Sequence, residues 1–459
     1  MRREGLEKGT EEGAGPQPSL VVWGRAKNHR LGIPYAEGDL FQPCELPKIV
    51  LDRLVGDQGR REQVVQVSCG GSHTAILLEG GALYTVGHGL YGQLGLGQRI
   101  RRVSVPTRVR GVLGPETSAG LSRRPSVSLP PITAIGCGRY HSLAVTSDGR
   151  LFSWGGGKNG RLGTGTELRS FLPWPVSHVH EKVPGQPENV RRSLAIPSEC
   201  RIVTIECGYH HSMVVSASGT LYTCGWGAYG QLGHGSRADE LSLLAVAFRD
   251  EHGNPIQNLK IVKVASGDRH SLALTDDGRV YGFGSNEYGQ LGLSSEVEEV
   301  EEKKLAANRE SIFPEPRLLH HGALAGRRIV LVACGERHSV ALSDAGEVIC
   351  WGYGKNGQLG LGEKTTIAPV PQVLNDASSL FGSRRVIDVA CGHENTLFLT
   401  CENEIYVTGS GEYGLLGVGA EAPRTVFQPV KVSVPPGFQT QRATMGHFHA
   451  AAWGSRSLS

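Results

Sequence analysis

The chain has 459 residues, a net charge of +3, ten cysteines and 64 glycines, about twice the usual share of glycine. Hydrophobic residues at 39% and charged residues at 20% describe a globular chain rather than a disordered one. So mild a charge, scattered along the sequence, disfavours binding to nucleic acid or chromatin, and no apolar run approaches the roughly 18 residues that insert in a membrane.

Residues 1–18 read as a flexible tail. They mix Arg2, Arg3 and Lys8 with Glu4, Glu7, Glu11 and Glu12, and lack the apolar stretch of a secretion signal. Cysteines without CxxC pairs or zinc-like spacing fit a reducing compartment inside the cell, cytoplasm or nucleus.

From residue 19 to 454 one phrase recurs, as in CGYHHSMVVSASGTLYTCGWGAYGQLGHG from Cys207. Its lead glycines are Gly70, Gly138, Gly208, Gly267, Gly335 and Gly392. Three residues later stand His73, His141, His211, His270 and His338, with Asn395 in the sixth copy. Fourteen further on comes Gly87, Gly155, Gly225, Gly284, Gly352 or Gly409, and eight beyond that the Gly of a Leu-Gly pair. A seventh copy is split between the chain ends: Gly446 and His449 near the C-terminus, Trp23 and Gly24 near the N-terminus.

Each copy reads as four short strands, apolar residues alternating or running between Gly-bearing turns such as Asp148-Gly149 and Asp277-Gly278. The expected fold is all-β: a seven-bladed β-propeller of four-stranded blades, monomeric, closed by pairing of the N- and C-terminal strands. Residues 455–459 are left as a C-terminal tail.

The motif histidines recur at one backbone position, so they are expected to tether loops by hydrogen bonds rather than to catalyse. The cysteines before the lead glycines (Cys69, Cys137, Cys207, Cys334, Cys391) are expected to be small buried hydrophobes. His178/His180 and His447/His449 have HxH spacing without further ligands near them, so no metal or cofactor site is expected.

The residues between each lead Gly and its His vary, and in a propeller they ring one face. They include Arg139-Tyr140, Tyr209-His210, Asp268-Arg269, Glu336-Arg337, His393-Glu394 and His447-Phe448. Tyr, Arg and His are interface-prone, so this ring is the candidate protein-binding face. A second ring lies in the eight-residue loops: Tyr91, Lys158-Asn159, Tyr229, Tyr288, Lys355-Asn356 and Tyr413. In the longer inserts, Arg123-Arg124-Pro125-Ser126 makes Ser126 a candidate phosphorylation site, and Glu296 to Glu302 form an acidic loop.

The repeated unit, CGxxHSxALT–DGxxYxWGxxxxGQLGxG, resembles that of the regulator of chromosome condensation family of seven-bladed propellers, over nearly the whole chain. The resemblance implies a non-catalytic protein-interaction propeller that regulates a small GTPase or exchanges its guanine nucleotide. The alternative is a nucleotide-independent scaffold in a signalling, ubiquitin or trafficking complex. Exchange in the founding member leans on an Asp directly before one motif His. Here those positions hold Ser72, Tyr140, His210, Arg269, Arg337, Glu394 and Phe448. The clustered Trp array of the plant ultraviolet-B receptors is likewise missing from the repeat loops.

Overall fold

A computed structural model describes residues 17–34, 38–56, 59–111, 129–183, 186, 190–293, 311–374 and 380–456. Ser126 and the acidic loop at 296–302 lie outside them.

Seven antiparallel sheets surround a central axis. Blade 1 runs through Val64–Cys69, His73–Leu78, Leu83–His88 and Arg102–Arg108, each strand pairing with the next. The pattern repeats in five further blades, whose innermost strands are Ile132–Cys137, Ile202–Cys207, Ile261–Ser266, Ile329–Cys334 and Val386–Cys391. Blade 7 takes Phe438–Met445 and His449–Arg456 from the C-terminus, and Gln17–Gly24 and Leu40–Glu45 from the N-terminus. Its closing pair runs in unbroken register from Gln17 opposite Arg456 to Gly24 opposite His449. This joins first and last strands with a full hydrogen-bond ladder and leaves no open edge at the seam.

Blade 3 departs from the four-stranded expectation. A hairpin, His178–Lys182 with Arg191–Ala195, adds to its outer strand Glu240–Ala245 through a parallel bridge, giving six strands. The HxH pair therefore lies on a strand. Arg191 on the same hairpin is ion-paired to Glu240 at 2.8 Å.

The second strand of blades 1 to 6 is buried along its whole length, and that of blade 7 is buried up to Arg456. Blades stand face to face, so both sides of the pleat are covered. In His141–Thr146, Leu143 and Val145 pack toward blade 3 while Ala144 packs toward blade 2's other neighbour, blade 1. Seven apolar clusters result, one per seam. Each fully buried Leu or Val contributes about 1.5–3 kcal/mol, and that apolar burial is the main force closing the ring.

The third strand needs a glycine at or next to its end. Gly24, Gly87, Gly155, Gly225, Gly284, Gly352 and Gly409 have φ between 99° and 116°. A Cβ on Gly225 would lie 2.6 Å from the carbonyl oxygen of His210 and from Cα of His211. There the chain leaves the sheet toward the loops of the functional face.

Candidate functional site: the loop face at the mouth of the axial channel

The face rests on a ring of inter-blade hydrogen bonds. His73 Nε2 lies 2.8 Å from Ser142 Oγ, and the contact recurs as His141–Ser212, His211–Ser271, His270–Ser339, His338–Thr396 and His449–Thr74, at 2.7–3.0 Å. Each hydroxyl donates its own proton to a backbone carbonyl, as Ser142 does to Gln93 and Thr74 to Arg30. With that proton used, the histidine Nε2–H must be the donor to the hydroxyl, which fixes the tautomer. Burial pushes the imidazole pKa down, to about 3 for His73, His270 and His338 and about 4 for His211, so the rings are neutral. These hydrogen bonds tie each blade to the next at six of the seven seams.

The lead glycines line the axis because nothing larger fits. A Cβ on Gly70 would meet the Gly138 carbonyl oxygen and the His73 ring, each at 2.6 Å, and Gly138, Gly267, Gly335, Gly392 and Gly446 are similarly hemmed by the next blade's backbone. Gly208 meets its own His211 ring and Ser266 instead.

Inside the ring runs a channel of about 220 Å³. Cys69, Cys137, Cys207, Cys334 and Cys391 line it, together with Ser266 and Met445. The cysteines are not simply core filler, since Cys207, Cys334 and Cys391 are only half-buried. Burial pushes the Cys137 and Cys391 thiols up to about 12, so they stay protonated and are poor nucleophiles. Glu206, also on the channel wall, is pushed up to about 7 by burial.

Tyr209 sits at the channel mouth and is itself buried, 8% exposed. Its ring packs edge-on to His447 at 4.2 Å and lies beneath the guanidinium of Arg139 at 4.3 Å. Tyr209 therefore supports the face more than it presents itself to a partner. Sequence spacing alone gives no sign of this.

The two predicted rings form one surface. Each eight-residue loop packs on the residue before the motif His of the following blade. Tyr91 meets Tyr140 at 5.1 Å, the Arg269 guanidinium lies 4.3 Å over Tyr229, Arg337 lies 4.9 Å over Tyr288, and Tyr413 meets Phe448 at 5.7 Å. The Lys158 charge bears on His210, and Asn356 hydrogen-bonds Glu394. The same offset of one blade thus recurs in all six pairs.

Trp226 was not among the residues singled out from sequence, yet it belongs to this surface. Its ring is half-buried between His210 at 5.4 Å and Tyr229 at 5.2 Å. With Tyr91 and Tyr140 these make a continuous aromatic arc over blades 1 to 3. Its signal was the glycine beside it: Trp226 directly follows the strand-ending Gly225, where the chain turns onto the face. Trp23, Trp154 and Trp351, by contrast, are wholly buried in the blades.

Charges on the opposite side pair among themselves. Arg269 is 3.3 Å from Asp268 and 3.8 Å from Glu287; Glu336 lies 3.3 Å from Arg337 and 3.1 Å from His393 Nε2. Burial raises the carboxyls of Asp268, Glu336 and Glu394. Among the described residues, Glu336, His393 and Glu394 alone bring three metal-type donors within 4.8 Å of one another, and Glu336 already contacts Arg337 and His393. The arrangement offers a rigid aromatic and charged platform. Nothing in it combines a nucleophile, a base and an orienting group.

Known proteins share this architecture. Residues 20–77, 80–145, 148–215, 218–274, 277–342, 345–399 and 402–453 each match the regulator of chromosome condensation (RCC1) repeat, and a second profile of that repeat matches six segments from 64–93 to 386–415. The ultraviolet-B receptor UVR8 of Arabidopsis thaliana is 31% identical over 344 residues, 75% of this chain and 63% of the receptor. The human E3 ubiquitin-protein ligase HERC2 is 29% identical over 446 residues, 96% of this chain but 8% of the ligase. The chain thus spans less than two thirds of either relative. The crystal structure of Prp20p from Saccharomyces cerevisiae, studied with its binding to Gsp1p and histones, superposes with a TM-score of 0.73 at 21% identity. That superposition covers 97% of this chain and 93% of Prp20p.

Proposed function

The chain belongs to the regulator of chromosome condensation (RCC1) repeat family, and on that premise we propose that it is a non-catalytic propeller that binds a small GTPase on its loop face and regulates it, inside the cell, by promoting guanine-nucleotide exchange. The observation that carries this reading is the continuity of the face. Two loop rings interlock into one surface rich in Tyr, Trp and Arg, the residue types in which binding energy concentrates. Its guanidiniums are already stacked on rings, so little side-chain entropy is left to lose on association.

An exchange factor of this kind makes and breaks no bonds. It binds the nucleotide-free GTPase best, and linkage then requires it to weaken GDP binding by the same factor. The rigid, latched ring suits that task, because it would hold the GTPase in one shape without yielding.

A second reading, a nucleotide-independent scaffold, is favoured by one feature. No Asp precedes any motif His, and Ser72 stands two blades before the His210-His211 pair. Affinity purification from native extract, split between GTP-loaded and EDTA-stripped samples, decides between the two. A small GTPase retained only without nucleotide, and then shown to release labelled GDP faster with the purified propeller, supports exchange. Partners indifferent to nucleotide assign the scaffold instead.

A further inference from the structure

Besides the buried Arg30 and Arg161, four arginines on the face lie over aromatic rings, and they fall into two pairs. Arg269 lies over Tyr229, and Arg337 over Tyr288; each also has a carboxylate at 3.3 Å, Asp268 and Glu336 respectively. Arg25 lies 4.1 Å over Tyr413 and 5.3 Å over Phe448, and Arg139 lies 4.3 Å over Tyr209 and 5.1 Å over Tyr140. Neither of these two has a carboxylate within ion-pair distance among the described residues, although the Arg139 charge bears on Asp268 and Glu336 from farther away. Stacking occupies the flat side of a guanidinium and leaves its in-plane N–H fork free, the geometry that matches a carboxylate.

The two free forks stand in blades 7 and 2, where charge is lopsided. On these loops the blades carry Arg25, Lys27, Arg139 and Lys158, with Asp39 held by the Ala26 N–H and Glu167 and Asp239 held by Asn159. Blades 4 to 6 carry Asp268, Glu287, Glu336, Glu394 and Glu412. The face is therefore the more cationic over blades 7 and 2, where its stacked arginines lack an ion-paired carboxylate, and the more acidic over blades 4 to 6, where Arg269 and Arg337 are ion-paired.

We infer that Arg25 and Arg139 are carboxylate-binding points, and that the partner of this face presents an acidic surface, Asp or Glu side chains, over blades 7, 1 and 2. The face supplies its own precedent, since the same stacked arrangement at Arg269 and Arg337 has a carboxylate within ion-pair distance. The inference rests on the loop face being the partner site, but not on the partner being a GTPase. It also fixes orientation: only one rotation of a bipolar partner about the axis places acid over the free forks.

The probe is a fluorescein-labelled decaglutamate peptide, read by fluorescence anisotropy at low salt against decaserine and a ten-nucleotide oligothymidylate. Decaglutamate is expected to bind, and the Arg25→Gln/Arg139→Gln variant to weaken it about tenfold. Arg150→Gln/Arg279→Gln, which removes the same charge from ion-paired arginines outside the two loop rings, is expected to change it by less than about threefold. Arg25→Lys/Arg139→Lys keeps the charge without the fork, should fold as the parent does, and is expected to fall between. Equal weakening in both glutamine variants would reduce the effect to general charge and overturn the assignment. Tighter binding of the oligothymidylate, lost in the same variant, would overturn it in favour of nucleic acid. Because no GTPase enters the assay, failure of the exchange reading leaves this result standing, and the reverse also holds.

Discussion

Asn395 and Ala450 stand at the donor and acceptor positions of the inter-blade hydrogen bond at the seam between blades 6 and 7, and they make none. Every other seam has its His–Ser or His–Thr pair. Asn395 turns its amide back to the carbonyl of Ser410 at 2.6 Å, and its Oδ1 is buried without a partner. Both members of the pair are replaced together. A lone His here would bury an N–H with no acceptor, at a cost of about 1–3 kcal/mol.

Restoring the pair is the direct test. Asn395→His alone is expected to destabilise the fold, Ala450→Ser alone to be near neutral, and the double variant to recover the loss. The coupling energy from urea denaturation of all four proteins should be about 1–2 kcal/mol and favourable. A coupling near zero would mean that the latch does not carry seam stability.

Acid should unlatch the ring before it neutralises the surface ion pairs. The latch histidines are neutral when folded, at about 3 to 4 where His73, His211, His270 and His338 are concerned, and near 6.5 when unfolded. Between those values the unfolded chain binds more protons, so stability is full above about pH 6.5 and is lost as pH falls below it. Each latch is expected to lose on the order of 2 kcal/mol by pH 5. Glu206, raised to about 7, works in the opposite direction from about pH 7 to 4.5 and offsets roughly one latch. His270→Asn, copying blade 6, should be less stable at pH 7.5 yet show a shallower decline in melting temperature from pH 7 to 5. A slope equal to the parent's would assign the acid sensitivity elsewhere.

The repeat made the fold legible, because invariant spacing within each copy and indels between copies can only mark blades and their connections. Blade 7 could be assembled on paper from Trp23-Gly24 and Gly446–His449. Two things were not legible. The hairpin His178–Lys182 and Arg191–Ala195 lies outside the repeat, so nothing periodic announces that it extends blade 3. On the face, the sequence names which residues ring the axis but not how adjacent blades are offset. That offset buries Tyr209, brings Trp226 to the surface and merges the two loop rings. Contacts between residues about 50 apart, such as Arg337 with Tyr288, depend on blade rotation, which local pattern does not encode.

Gly225 offers a test of the turn that carries Trp226 onto the face. Its φ is 115°, and a Cβ would meet the His210 carbonyl oxygen and the His211 backbone. Gly225→Ala is expected to cost about 2–4 kcal/mol, from strain and from displaced backbone together. Because Trp226 is the neighbouring residue, its fluorescence should change as well, even well below the melting temperature. Gly253→Ala is a useful comparison: it also has positive φ, but in open space, and should cost only about 1 kcal/mol.

Closure of the ring depends on the strand Gln17–Gly24, which lies between His449–Arg456 and Leu40–Glu45 in blade 7. Deleting residues 1–24 removes the middle of that sheet and takes Trp23, which is fully buried and donates its indole N–H to the Leu415 carbonyl of blade 6. It also exposes the edge of His449–Arg456 and the Ala450–Ala452 surface that packs on both neighbouring blades. The truncated chain is expected to aggregate or to melt at least 15 °C lower, whereas deleting residues 1–16 should leave the melting temperature within about 2 °C of the parent. Scanning calorimetry with size-exclusion chromatography reads both outcomes. A 1–24 deletion that stayed monomeric with an unchanged transition would show that seam packing alone holds the propeller closed, without the terminal ladder.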